Sequence, residues 1–221
     1  MRTHPVFLRL ENRRCVVVGG DEAAAAKARA CAEGGARVTV VAPPPAPAIA
    51  PLVAAGLVAH EPRTWRPGDL AGAVVAYATT QDAGVVAALV AEAERERVWL
   101  NVVDRPDACT FFSPAVVARG DLRIAIGTGG TSPGLAARLR RAIEAVVGPE
   151  YVAFVTILAG VRELLAGEPR RTDVLGTLLD SPLLALVRDG DAAGVDALLG
   201  RVVGAGTSLA RLGVTLERGA G

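Results

Sequence analysis

The sequence predicts an α/β fold: a Rossmann-like parallel sheet, then a hairpin-plus-helix segment and a small C-terminal helical domain. Before Pro106, short β-branched runs alternate with Ala-rich helical segments, which is typical of βαβ units and therefore of a parallel sheet. One such run, Val16–Gly20, ends in a glycine pair directly before a helix. After Pro106 the alternation stops, and two β-rich runs joined by Gly120-Asp121 indicate a hairpin.

The first part of the chain has five strand candidates separated by turns or helices. The predicted strands are Cys15–Val18, Arg37–Val41, Leu57–His60, Ala73–Tyr77 and Trp99–Val102. One predicted helix follows the first strand and stops at Gly34-Gly35, and a second covers about Ala83–Arg97. A proline-rich segment, Pro43–Pro51, follows the second strand.

The second part begins with the hairpin strands Ala115–Arg119 and Leu122–Ile126. The next helix has Ser132 as its N-cap and Pro133 at its first position, and Gly148 lies just past its end. A hairpin with one helix is too small to fold alone, so we expect it to pack on the sheet or on a second subunit, as in a dimer.

Helical periodicity dominates from Tyr151 onward. Further helix starts are indicated at Thr172-Asp173, Ser181-Pro182 and Asp191. The Gly-rich tail from Gly204 is expected to be loose. The predicted division is 1–112 for the sheet domain, 113–148 for a dimerisation segment and 149–221 for the helical domain.

The composition restricts the classes of partner. With 221 residues, 51% of them hydrophobic, the chain can bury a sizeable core. It contains no uninterrupted apolar run of about 18 residues, so no membrane partner is expected. A net charge of +1 gives no overall basis for binding nucleic acid. Three widely spaced cysteines favour a reducing cytoplasm over a disulfide framework, and His4 and His60 lack neighbours suited to a metal site.

The glycine pair departs from the dinucleotide-binding pattern G-x-G-x-x-G/A. Gly19 fills the first position and Ala24 the third, but Asp21 replaces the second glycine, which approaches the diphosphate most closely. A carboxylate there would repel phosphate, unless it turns away to cap the helix. The second strand ends in Val41-Ala42-Pro43 without an acidic residue for the ribose, so cofactor contacts there would come from the backbone.

Two further groups of residues follow strand ends. Asp104 comes just after the fifth strand, at the edge where open α/β sheets place their chemistry, and is either a catalytic carboxylate or a loop cap. Thr79 and Thr80 follow the fourth strand and could touch a ribose or cap the helix near Asp82. Thr128–Pro133 has the composition of a phosphate loop but lacks G-K-[ST], which favours a capped turn.

Taken together, these motifs resemble the precorrin-2 dehydrogenase/sirohydrochlorin ferrochelatase family, equivalent to the N-terminal half of siroheme synthase. The resemblance runs from about residue 3 to 165. The motifs that carry it are Pro5–Leu8, Cys15–Gly20, Lys27-Ala28, Gly35–Pro43, Asn101–Asp104, Phe111–Ala115 and Gly129–Pro133. Several ordered motifs at the family's spacing are far more specific than any one of them.

The resemblance implies NAD-dependent oxidation of precorrin-2 to sirohydrochlorin in siroheme or modified tetrapyrrole biosynthesis, with Asp104 as the catalytic residue. It implies a homodimer, and in bifunctional members metal insertion as well. A separate uroporphyrinogen methyltransferase is the expected partner enzyme. The expected cofactor-binding residues are Gly19, Gly20, Asp21, Glu22, Ala23, Pro43, Pro44, Thr79, Thr80 and Asn101. Because precorrin-2 carries eight carboxylates, the expected substrate-binding residues are Arg105, Arg119, Thr128 and Arg138.

The chain also departs from the family pattern. The family has three glycines at the turn, an arginine shortly before the lysine, and an acidic residue after the catalytic aspartate, where this chain has Asp21, Ala26 and Arg105. One alternative is therefore a tetrapyrrole-binding protein or chelatase with a degenerate NAD site. Another is a regulatory sensor that binds NAD without turnover.

Overall fold

The computed structural model describes residues 3–44 and 46–216, which pack as two units. The first unit runs to Ser113 and takes in Gly129–Thr131. The second comprises Pro114–Thr128 and continues from Ser132.

The first unit is built on a five-stranded parallel sheet with the order β3-β2-β1-β4-β5. Its strands are β1 (Arg14–Val18), β2 (Arg37–Val41), β3 (Val58–Glu61), β4 (Val75–Ala78) and β5 (Trp99–Val102). Its helices are α1 (Glu22–Glu33), α2 (Ala50–Ala54) and α3 (Ala83–Glu96). This topology confirms the predicted Rossmann-like sheet, and the observed strands lie within two residues of the predicted ones.

The central strand β1 is buried on both faces from Cys15 to Val18, which explains the unbroken apolar sequence of these four residues. On one face Val17 packs in a core with small α1 residues such as Ala24 and Ala28. On the other face Val16 shares a core with Leu89 of α3. Alanines on α1 let its backbone come close to the sheet, and this places the start of α1 directly beyond the end of β1.

The proline-rich segment contains a helix that the sequence did not indicate. Pro51 lies in the first turn of α2, where a missing N–H costs no helical hydrogen bond. Ile49 and Leu52 are buried and anchor this short helix to the sheet core. Pro45, within the same segment, lies outside the described residues.

As far as Leu216, the second unit contains the predicted antiparallel hairpin and five helices. Its elements are β6 (Ala115–Arg119), β7 (Leu122–Ile126), α4 (Pro133–Val146), α5 (Glu150–Leu164), α6 (Arg171–Leu179), α7 (Leu183–Arg188) and α8 (Ala192–Val202). Ser132 caps α4 by accepting a hydrogen bond from the Leu135 N–H at 3.2 Å, as predicted. Asp191 likewise caps α8.

The prediction of a loose tail from Gly204 is wrong as far as Leu216. Leu209 is only 5% exposed, and its N–H donates to the Asp196 carboxylate at 2.7 Å. Leu212 packs against Gly160, an α5 position that has no side chain to block it. Apolar side chains between the glycines therefore outweigh the flexibility of the glycines themselves. The remainder of the predicted loose tail, 217–221, lies outside the described residues.

Within the described residues, no single helix has the length and apolarity of a membrane-spanning segment. Helices α4 and α5 meet that criterion only as a pair, across a bend of 71°.

Replacing Leu209 with alanine should lower the free energy of unfolding by about 2–4 kcal/mol, because it opens a cavity in a packed core. Urea denaturation measures this change. The matched control is Leu179→Ala, at a helix position that is 58% exposed, where a change within about 0.5 kcal/mol is expected. Equal effects of the two substitutions would contradict the packed tail.

Candidate active site

The turn between β1 and α1 requires glycine at its first position. Gly19 has a φ of 136°, a backbone conformation that other residues rarely adopt. A Cβ at Gly19 would collide with the side-chain oxygen of Thr79, and one at Gly20 would come within 3.0 Å of the Ala42 Cβ. The Gly19 N–H donates to Val41 O at 3.0 Å. The turn is thus fitted closely between the ends of β2 and β4.

Asp21, the residue that departs from the dinucleotide-binding pattern, is the N-cap of α1. Its Oδ1 accepts a hydrogen bond from the Ala24 N–H at 2.8 Å, and its backbone is extended. The carboxylate thus turns back toward the helix, as in the second of the two predicted alternatives. The N–H groups of the first helical residues, Glu22 and Ala23, precede the first intrahelical bond, which Ala25 donates to Asp21 O.

The threonines after β4 do not cap the following helix. Asp82 caps α3 by accepting from the Val85 N–H at 2.9 Å, and Thr80 supports it by accepting from the Asp82 N–H at 3.3 Å. The Thr79 N–H donates to Val18 O at 3.0 Å, which ties β4 to the end of β1. The Thr79 side chain therefore lies against Gly19, beside the start of α1.

Asp104 lies on an exposed turn immediately after β5. The Arg105 N–H donates to Val102 O at 3.2 Å, which closes the turn, and Asp104 occupies its third position with a φ of 61°. A left-handed conformation costs an aspartate about 1–2 kcal/mol, so surrounding contacts must hold it in place. The side chains that bond to this loop are those of Gln81, Asn101, Cys109 and Thr110, not that of Asp104. The Asp104 side chain therefore does not cap the loop, which was the second interpretation of this residue from the sequence.

Asn101 has a structural hydrogen bond. It is 8% exposed, and its Nδ2 donates to Phe111 O at 2.9 Å. This bond holds the segment after the Asp104 loop beside β5 and places the Phe111 ring against Tyr77, with 5.3 Å between ring centroids. The Ser113 hydroxyl donates to the Tyr77 hydroxyl at 3.3 Å.

Sequence reasoning missed the packing of Lys27 against this aromatic pair. The Lys27 Nζ lies 5.4 Å from the centre of the Tyr77 ring, a cation–π distance, and burial lowers the pKa of Lys27. Burial also raises the pKa of Tyr77 to about 12, so the phenol stays protonated at neutral pH. The missed signal was the position of a lysine within the Ala24, Ala28 and Cys31 stripe that α1 buries.

The predicted substrate-binding residues lie in both units. In the first, Arg105 lies beside Asp104 in sequence, and its guanidinium is 3.6 Å from Asp107. In the second, Thr128 accepts from the Ser132 N–H before α4 begins, and Arg138 is exposed on α4. Arg119 donates to Val147 O at 3.0 Å, at the other end of α4. Because a helix of 14 residues is about 21 Å long, Arg119 and Thr128 lie far apart.

The first unit therefore brings its predicted site residues to one edge. Parallel strands end on the same side of a sheet, so Gly19 after β1, Pro43 after β2, Thr79 after β4 and Asp104 after β5 share the edge that we call the carboxyl edge. It presents helix N–H groups and an exposed carboxylate. In open α/β sheets this is the edge that binds ligands.

Two family models match the chain. Residues 6–115 match a family described as "Putative NAD(P)-binding", and residues 119–145 match one described as "Sirohaem biosynthesis protein central".

Similar proteins with curated functions are siroheme synthases. That of Methylobacillus flagellatus is 39% identical over 176 residues, covering 77% of this chain and 38% of the relative. That of Chromobacterium violaceum is 35% identical over 210 residues, covering 93% of this chain and 45% of the relative. The chain thus spans less than half the length of either relative.

A solved structure, "SirC, precorrin-2 dehydrogenase", has the same fold. Its TM-score is 0.67 at 24% sequence identity, and the match covers 83% of this chain and 92% of that chain.

Replacing Asp21 with alanine should lower the free energy of unfolding by about 1 kcal/mol, because the cap of α1 is lost. Asp21→Asn is the matched control, since asparagine caps a helix as well as aspartate does and should leave stability unchanged. Thermal or urea denaturation of the two variants checks this. A stable Asp21→Ala variant would show that the cap contributes nothing.

Proposed function

We propose that this chain, which is similar to siroheme synthases over most of its own length, is a precorrin-2 dehydrogenase, which oxidises precorrin-2 to sirohydrochlorin with NAD. The observation that carries this proposal is the carboxyl edge, where a glycine turn, a helix N-terminus and the exposed Asp104 follow neighbouring strands. The balanced reaction transfers a hydride to NAD and releases a proton, giving sirohydrochlorin and NADH.

The residues at the start of α1 fit the diphosphate of NAD. Gly19 and Gly20 carry no side chain at the turn, and the N–H groups of Glu22 and Ala23 lie at the positive end of the helix dipole. When bound, NAD supplies the hydride acceptor. Proline has no N–H group, so any backbone contact from Pro43 or Pro44 to the cofactor comes from a carbonyl.

The charge of Asp21 weakens NAD binding only slightly in this arrangement. Its carboxylate is exposed and hydrogen-bonded to its own helix. Two charges 4 Å apart in water repel each other by about 1 kcal/mol, and salt screens them further. This corresponds to less than about tenfold in affinity. So small a loss of affinity favours a functional NAD site over the alternative of a degenerate NAD site.

Asp104 is the proposed base. Oxidation of the macrocycle removes a proton along with the hydride, and an exposed carboxylate at the carboxyl edge can accept it. The neighbouring Arg105 is proposed to bind a carboxylate of the tetrapyrrole, whose negative charge suits a guanidinium group. The Arg105–Asp107 contact of 3.6 Å is long and partly exposed, so a substrate carboxylate could replace it.

We also propose that residues 113–148 form a homodimer interface. Helix α4 exposes an apolar stripe at Leu135, Leu139 and Val146, which are 49%, 41% and 70% exposed. Positions separated by four and seven residues lie on one face of a helix. Val116 on β6 adds a fourth exposed apolar side chain. Several large exposed apolar side chains on one segment are typical of a surface that another protein covers.

The proposed compartment is the cytoplasm, because all three cysteines are free thiols and a reducing environment keeps them so.

Asp104→Asn should lower kcat for NAD-dependent formation of sirohydrochlorin by about 100- to 10,000-fold, because the amide cannot accept the proton. Asparagine tolerates the left-handed turn, so the folded structure should persist. The measurement is the anaerobic initial rate with precorrin-2, followed by absorbance.

The matched control is Asp107→Asn, which neutralises another exposed carboxylate of the same loop and should retain most of the activity. Equal rates for Asp104→Asn and the wild type would exclude Asp104 as the base. Activity without added NAD would contradict the proposed cofactor, provided that the purified protein carries none.

Leu139→Asp should convert the dimer into a monomer, because a charge would be buried at the centre of the proposed interface. Light scattering gives the mass of each species. The control is Leu179→Asp, at an exposed leucine of α6 outside the proposed interface, which should leave the dimer intact. A monomeric wild type would exclude the homodimer.

A further inference from the structure

The thiol of Cys109 contacts both residues that close the Asp104 turn. Its Sγ accepts a hydrogen bond from the Val102 N–H at 3.2 Å. The same sulfur lies 3.3 Å from Val102 O and 3.2 Å from Arg105 O, and the S–H can donate to either carbonyl. One side chain therefore links the end of β5 to the residue that follows Asp104.

This link acts on a turn whose conformation is unusual. Asp104 has a positive φ, and the backbone bond from Arg105 to Val102 is the contact that closes the turn. An aspartate in this conformation persists only where neighbouring groups enforce it. The Cys109 sulfur supplies three contacts to the two residues that define the turn, so it restricts the direction in which the Asp104 side chain leaves the backbone.

The chemical state of Cys109 suits this structural role. Partial burial raises its pKa, so at neutral pH the side chain remains a thiol with a hydrogen to donate. The other two cysteines, Cys15 and Cys31, are buried in the core between the sheet and α1. They serve as controls for the loss of a buried thiol away from the loop.

The rest of the loop is anchored independently of the thiol. The Thr110 hydroxyl accepts from the Leu100 N–H at 2.8 Å, and the Thr110 N–H donates to Leu100 O at 2.8 Å. Asn101 holds Phe111. Removal of the thiol should therefore loosen the Asp104 turn while the segment after it stays attached to β5.

We infer that Cys109 is a positioning residue for Asp104, fixing the turn that presents this carboxylate. The inference rests on the proposed function for its effect on catalysis, but the link to the turn can be measured without it. A misplacement of about 1 Å in a catalytic group can cost about 100-fold in rate.

The kinetic test compares Cys109→Ala with Cys109→Ser. Cys109→Ala should lower kcat by about 10- to 100-fold with little change in the KM for NAD. Cys109→Ser keeps a donor and an acceptor and should recover most of the loss. Cys31→Ala, the control for a lost buried thiol, should leave kcat close to that of the wild type. In an Asp104→Asn background, Cys109→Ala should cause no further loss, because the group that it positions is already absent.

Amide hydrogen exchange tests the link directly. In Cys109→Ala the Arg105 N–H should exchange faster, while the Thr110 N–H should not. Unchanged exchange at Arg105, or an unchanged kcat in Cys109→Ala when Asp104→Asn is inactive, would overturn the inference. An equal fold-loss in the Asp104→Asn background would also overturn it. An inactive wild type would instead overturn the proposed function.

Discussion

The close contact between the backbone of Gly19 and the side chain of Thr79 is the constraint on which the carboxyl edge depends. It brings the turn after β1 against the residue after β4, and the neighbouring Gly20 lies close to Ala42 after β2. A side chain at either glycine would push these segments apart. The position of the start of α1 relative to the loop after β5 is therefore fixed, because β5 is paired with β4.

This arrangement separates binding from chemistry. In the proposed site the backbone binds the cofactor, because β2 ends without an acidic residue and the carboxylate of Asp21 is occupied as a helix cap. The proposed base is Asp104, whose turn is held by bonds from other side chains. A carboxylate free of structural bonds can change its protonation without loosening the loop, which is what a base requires.

The sequence was sufficient for the sheet because most strands are short apolar, β-branched runs bounded by turn residues, and the helices α1 and α3 between β1 and β2 and between β4 and β5 imply parallel order. It also placed Asp104 and Thr79 at the correct edge. The sequence could not determine the direction of the Asp21 side chain, because the same residues allow it either to face and repel a phosphate or to cap the helix. The hydrogen bond to Ala24 decides between them.

Other features depend on tertiary contacts that periodicity does not contain. The α2 helix forms because Ile49 and Leu52 are buried in the core beside the sheet. The tail is ordered because Leu212 packs against Gly160. Lys27 was not linked to Tyr77, because they lie on different elements 50 residues apart. The role of Arg119 in binding substrate stays a prediction, and its bond to Val147 O gives this side chain a structural partner.

An anaerobic single turnover of the purified chain with precorrin-2 and excess NAD distinguishes a dehydrogenase from a protein that only binds tetrapyrrole. NADH and sirohydrochlorin are quantified in the same sample. For a dehydrogenase we expect one NADH for each sirohydrochlorin, with both products rising at the same rate. Sirohydrochlorin formed without an equivalent of NADH, or tetrapyrrole bound without any turnover, would contradict it.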